Sequence, residues 1–266
     1  MILHYRKYAA AAGTHGESLL ILHGLYGQQG NWATQARVLA AAGYPVIALD
    51  ARNHGQSPHA DSMTLQEMMQ DVVETMDALQ LDAAHVMGHS MGGKLAMLLA
   101  LFNPGRVLDL IVVDIAPVSY ATGDVHVITG LQALELADLR SRGQADDQLA
   151  AHISNKQVRD FLLTNLLRNE DGTYGWRFNL TALARYFSEI IKWPATDRQY
   201  HSAVMFIKGA DSDYILPEYQ SAILALFPKA SLKTVTDAGH WVHSENPETF
   251  QQLVLKFLLD QTTDIT

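Results

Sequence analysis

The stretch "MGHSMGG", residues 87–93, constrains this chain more than any other. It closes the apolar run "AAHVMGHS" (83–90) and opens the helical pattern "MGGKLAMLLALFNP" (91–104), which Pro104 stops. A glycine–x–serine–x–glycine pattern in that setting predicts a sharp turn from strand to helix. The glycines leave space where Cβ atoms would collide. The turn lifts Ser90 Oγ to a helix N-terminus, where amide donors and the macrodipole favour developing negative charge. The alternative is a plain glycine turn with an incidental serine, and the flanking strand and helix weigh against it.

The remaining pattern agrees with such a turn. Apolar runs "SLLILHG" (18–24), "PVIALD" (45–50), "LDLIVVD" (108–114), "SAVMFIKG" (202–209) and "ASLKTVTD" (230–237) read as strands. Runs without alternation suit parallel strands buried on both faces. Helical segments lie between them at 31–43, 64–80 and 91–104, and 247–261 closes the chain. Thr64 stands three residues before Glu67, a capping-box spacing. Alternating strands and helices predict an α/β fold with a mostly parallel, doubly wound sheet. Residues 118–200 break the rhythm with helical periods and no convincing strand. They are read as an all-helical cap, or lid, over the sheet's carboxyl edge, with 1–117 and 201–266 forming the core.

Composition removes several classes of function. The chain has no cysteine, which excludes disulfides, thiolate metal sites and a cysteine nucleophile. Its 28 acidic against 19 basic residues, with no basic run, argue against nucleic acid or an anionic membrane surface as partner. The N-terminus lacks the apolar stretch of a signal peptide, and no run approaches membrane-spanning length. The expectation is a soluble, cytoplasmic protein without stable membrane association. Composition carries no signal for oligomeric state.

A serine hydroxyl needs a base before it can attack. His240 stands in "DAGHWVHSENP", a loop between the last strand and the final helix, with His243 as local competitor. Gly239 frees the backbone at His240, and the order serine, acid, histidine favours it. An oxyanion needs two donors aimed at it. The Met91 N–H, directly after the serine, is one; Leu25 N–H in "HGLYG" (23–27) is the other, with His23 and Gly24 shaping that loop. Asp114, Asp211 and Asp213 all fall between Ser90 and His240, so chain order alone leaves the acid open.

"HGLYG", "DARNHGQSP" (50–58), "GHSMGGK" (88–94), "VVDIAPV" (112–118) and "GHWVHSENP" (239–247) together resemble the α/β-hydrolase superfamily. More closely, they are similar to the small YbfF-type bacterial esterases and their mitochondrial relatives. The resemblance spans nearly the whole core and only weakly the cap. It implies ester or thioester hydrolysis on small acyl substrates, with no metal and no organic cofactor. The superfamily's usual acid position, three residues after Gly209, holds Ser212 here, whereas counting back four from Pro217 gives Asp213. YbfF-type enzymes resemble this chain in carrying that serine and an aspartate at the position of Asp114, which makes Asp114 the favoured acid and Asp213 its rival.

Other residues admit structural readings. Asp50, Arg52 and His54 are read as an ion-pair brace, and Lys94 as meeting a carboxylate or a substrate anion. Trp176, Phe178, Tyr186, Phe187 and Trp193 could line an acyl channel, although at least half should form the cap's own core. His23, Trp176 and Trp241 are the candidate substrate-binding residues. A dehalogenase would need an aspartate where Ser90 stands. A C–C bond hydrolase or a cofactor-free haloperoxidase could use the same residues. A ligand-binding receptor on this scaffold would turn over nothing.

Overall fold

A strand covered on both faces needs apolar residues at every position, and "LLIL" shows the arrangement. Leu20 and Leu22 pack into one core cluster, Leu19 and Ile21 into the other, and all four are buried. The computed structural model describes residues 1–11, 16–121 and 125–262. In chain order the first half contains β1 (Tyr5–Tyr8), β2 (Leu19–Leu22), α1 (Ala33–Ala41), β3 (Val46–Leu49), α2 (Leu65–Ala78), β4 (Ala84–His89), α3 (Met91–Phe102) and β5 (Val107–Val113). There follow α4 (Val125–Ala133), α5 (Arg142–Ala150), α6 (Lys156–Leu163), β6 (Leu166–Arg168), β7 (Tyr174–Trp176) and α7 (Leu180–Ile190). The chain closes with β8 (Val204–Gly209), α8 (Gln220–Leu226), β9 (Ala230–Val235), α9 (Val242–Glu245) and α10 (Pro247–Thr262).

Seven strands form one sheet in the order β1-β3-β2-β4-β5-β8-β9. Only β1 runs antiparallel, against β3; the other neighbours are parallel. Residues of α2 and α3, such as Met68, Met76, Leu95 and Leu98, pack with Leu20, Leu22, Val86 and Val112 on one face. Residues of α1 and α10, such as Leu39, Phe250 and Val254, pack with Leu19, Ile21 and Met87 on the other. The sheet is doubly wound. Thr64 caps α2 by accepting from Glu67 N–H while the Glu67 carboxylate accepts from Thr64 N–H, the reciprocal bonds its spacing predicts.

The segment between β5 and β8 departs from the all-helical expectation. Besides α4 to α7 it contains the antiparallel hairpin β6–β7. The turn joining the two strands is built on Asp171 and on Gly172 at φ +88°, a left-handed position that glycine takes without strain. Within this segment α5 and α6 are separate helices, and Asn155 caps α6 through Gln157 N–H (2.9 Å). Its apolar side chains, including Val127, Leu131, Leu183 and Phe187, join the same core cluster as α2 and α3.

Candidate active site

The elbow after β4 is set by close backbone approach. A Cβ on Gly88 would lie 2.1 Å from Gly92 O, and one on Gly92 would lie 2.3 Å from Leu22 O. Ser90 sits at φ 54° and ψ −119°, an unfavourable conformation costing about 1–3 kcal/mol that the surroundings must hold. Its N–H donates to Val113 O (3.0 Å), and its carbonyl accepts from Lys94 N–H (3.1 Å) to start α3. Gly92→Ala therefore forces β2 and α3 apart. It is expected to lower stability by about 3 kcal/mol or more, read as a lower urea midpoint.

Parallel strands deliver the other candidates to the same sheet edge. Asp114 directly follows β5, fully buried, with its N–H on Ile207 O (2.8 Å). Its Oδ1 accepts from Gly209 N–H (3.1 Å) and its Oδ2 lies 2.7 Å from His240 Nδ1. Ser212, buried between exposed Asp211 and Asp213, donates its hydroxyl to Asp114 Oδ2 and accepts from Tyr214 N–H (3.2 Å). Ser212 thus stands beside the carboxylate rather than in place of it. The Tyr214 ring stacks on the His240 imidazole at 3.9 Å between centroids. His240 O accepts from His89 Nε2 (2.8 Å), which fixes its backbone. With Nδ1–H donated to Asp114, His240 Nε2 carries the free lone pair a general base needs.

Ser90, Met91, Leu25, His240 and Trp241 line one cavity of about 300 Å³. Neither Leu25 N–H nor Met91 N–H donates to another group among the described residues. The far walls are apolar side chains of α4, α6 and α7, among them Val127, Val158, Phe161 and Phe187. Trp241 packs its ring against Phe161 at 5.6 Å. Sequence reasoning passed over Tyr214 and the α6 residues, because a single tyrosine in a loop and an ordinary helical stripe carry no signal of what they face.

Several expectations are corrected. Trp176 does not line the cavity; it stacks on Phe178 at 5.1 Å and 11° within the inserted segment. Of the five aromatics considered for a channel, only Phe187 reaches the wall. His23 also lies in the wall, yet both its nitrogens are engaged: Nε2 accepts from Ala51 N–H (3.0 Å) and Nδ1 donates to Gly24 O (2.7 Å). It braces the loop and has no hydrogen-bonding group left for a substrate. Among the described residues Lys94 meets no carboxylate; its ammonium donates to three backbone carbonyls at the end of α7. Arg52 forms its ion pair with Asp71 of α2 (Nη2–Oδ1 2.9 Å). Asp50 instead accepts from Gln29 N–H (2.6 Å) and Gln56 N–H (2.9 Å).

Four histidines around the site are buried in neutral form. Burial lowers the pKa of His23, takes His89 well below the usual value, and brings His54 and His243 to about 3. His243 stacks on Trp32 at 4.1 Å, a packing role that removes it as the base. Unfolded histidines bind protons near pH 6.5 while these refuse them, so stability is complete above that pH and is lost as pH falls. His54, His89 and His243 carry this dependence through the window, and His23 acts in the same direction. Urea midpoints are expected to fall between pH 6.5 and 5, and His243→Phe to flatten the slope by one histidine's share.

A model of the α/β-hydrolase family matches residues 19–252. The chain is an α/β-hydrolase. Among curated relatives, the sn-1-specific diacylglycerol lipase ABHD11 of Mus musculus is 39% identical over 91% of this chain and 80% of its own length. The esterase YbfF of Escherichia coli is 34% identical over 98% of this chain and 100% of its own. Among solved structures, a marine microorganism esterase superposes with a TM-score of 0.91 at 38% identity, covering 96% of this chain and 99% of that one. This α/β-hydrolase is thus an enzyme of the esterase and lipase type. Among the described residues, no helix of this α/β-hydrolase is long and apolar enough to cross a membrane.

Proposed function

We propose that this α/β-hydrolase is a serine carboxylesterase for acyl esters of short to medium chain length, with acyl thioesters as a second substrate class. The observation that carries the reading is the Asp114–His240 contact (2.7 Å) at a cavity that also holds Ser90 and two unused amide donors. Ser90 Oγ attacks the acyl carbonyl as His240 Nε2 takes its proton. Asp114 holds the imidazole in the required tautomer and offsets the imidazolium charge. The amides of Leu25 and Met91 hold the oxyanion. His240 then protonates the departing alkoxide or thiolate, and water, activated by the same base, clears the acyl-enzyme. No cofactor enters any of these steps.

Residues 118–200 act as a cap in this reading, because α4, α6 and α7 supply the apolar walls opposite Ser90. A cavity of about 300 Å³ lies at the small end of ligand sites, which favours acyl groups of limited length. The named activities of the relatives, an esterase and a lipase, point the same way. The test is hydrolysis of p-nitrophenyl esters from acetate to decanoate, and of the matching acyl-CoA series, by wild type and Ser90→Ala. Turnover that survives in Ser90→Ala contradicts the proposal.

A further inference from the structure

Helix α7 is tied to the core at both ends. At its start Asn179 donates its backbone N–H to Asn53 O (2.9 Å), and its side-chain amide to Asn53 Oδ1 (3.1 Å) and Ala60 O (3.3 Å). At its end Lys94 Nζ reaches Ile190 O (3.3 Å), Ile191 O (2.6 Å) and Lys192 O (2.8 Å). These carbonyls form the negative pole of α7 and have no helical partner of their own. An ammonium has three N–H donors. All three are engaged here, so Lys94, 2% exposed, has none left for a substrate anion.

The position of this lysine gives the contact its meaning. Lys94 stands on α3 four residues after Ser90, so the end of α7 is held by the same helix that carries the nucleophile. Ile190, Ile191 and Phe187, on or next to the held turn, line the cavity together with Lys94 itself. The Tyr120 ring lies 5.1 Å from the ammonium, and its hydroxyl donates to Tyr214 O (2.6 Å) beside the catalytic histidine. At the end of α7, Lys192 faces outward and pairs with Glu189 (2.9 Å).

We propose that Lys94 is a positioning residue that sets acyl-chain selectivity, by holding the end of α7 as a fixed wall of the acyl pocket at a set distance from Ser90. The inference rests on the esterase reading. Methionine fills the same space without donors, so in Lys94→Met the carbonyls of Ile190 and Lys192 must find water, Ile191 O keeps only Tyr120 N–H (3.1 Å), and the Ile190–Ile191 wall moves outward. The ratio of kcat/KM for p-nitrophenyl octanoate over acetate is expected to rise about tenfold or more, chiefly through the KM of octanoate. Active sites are counted with a fluorophosphonate probe, so a loss of folded enzyme does not enter the ratio. Lys94→Arg, which keeps a cation and several donors, is expected to hold the ratio within about threefold of wild type. If Lys94→Met does not fold, Lys94→Gln, neutral and too short for all three carbonyls, should shift the ratio in the same direction. A folded Lys94→Met or Lys94→Gln with the wild-type ratio overturns the proposal, as does a uniform loss across all chain lengths. Absence of ester turnover by the wild type would instead overturn the esterase reading beneath it.

Discussion

Ser90→Ala is expected to lower kcat for p-nitrophenyl butyrate by about 10⁴- to 10⁶-fold. In the proposed mechanism alanine removes the atom that forms the acyl-enzyme, while the amides of Leu25 and Met91 remain to bind the carbonyl. The residual rate should therefore be that of water attack helped by the oxyanion donors alone. The change also removes a hydroxyl held on a strained backbone, since Ser90 sits at φ 54°. Alanine at that φ carries the same Cβ, so the fold and its urea midpoint should stay close to wild type. Steady-state hydrolysis with circular dichroism on the same samples separates loss of chemistry from loss of structure. A variant that kept several per cent of the wild-type rate would place the nucleophile elsewhere.

Asp114→Asn is expected to lower kcat by about 10³- to 10⁴-fold, and Asp213→Asn to change it by less than about twofold. The asparagine keeps the shape of the carboxylate, and its Oδ1 can still accept from Gly209 N–H, but the position of Oδ2, which Ser212 Oγ and His240 Nδ1 share, becomes an NH₂. Its amide NH₂ then faces His240 Nδ1, which must become an acceptor, and the proton moves to Nε2. The base is left in the wrong tautomer, and no negative charge offsets the imidazolium. Asp213 is exposed and lies across Ser212 from this cluster, so neutralising it alters only a solvated charge. Equal losses in the two variants, or a loss in Asp213→Asn alone, would contradict the geometry around His240.

These variants address the one part of the site that the sequence left open. Chain order places Asp114, Asp211 and Asp213 alike between Ser90 and His240, and two counting rules on the loop after β8 disagreed by one residue. In the structure Ser212 N–H bonds Gly209 O (3.2 Å), which turns residue 212 inward and leaves both neighbours outside. That turn depends on the end of β8 meeting the His240 loop, a long-range contact that no local pattern encodes. The elbow was legible because it is local: Gly88, Ser90 and Gly92 lie between a strand and a helix whose patterns are unambiguous. The strands buried on both faces were legible for the same reason.

Strand β1 was harder to read because "YRKY" is an exposed edge strand without an apolar run. The β6–β7 hairpin has strands of three residues each, too short for periodicity. Its Asp171–Gly172 pair was a usable turn signal. Trp176 was misplaced because aromatic content says nothing of which face a short strand presents. Lys94 was expected to meet an anion, and it found helix-end carbonyls instead, the same electrostatic requirement met by backbone.

The central claim is a covalent intermediate on Ser90, and mass spectrometry tests it most directly. Wild-type enzyme is mixed with p-nitrophenyl acetate, quenched in acid within the first turnovers, and digested. One acetyl group should appear on the peptide containing Ser90, and none on the same peptide of Ser90→Ala treated alike. Hydrolysis that proceeds with no acyl group on that peptide, or with the acyl group on another residue, would contradict the account.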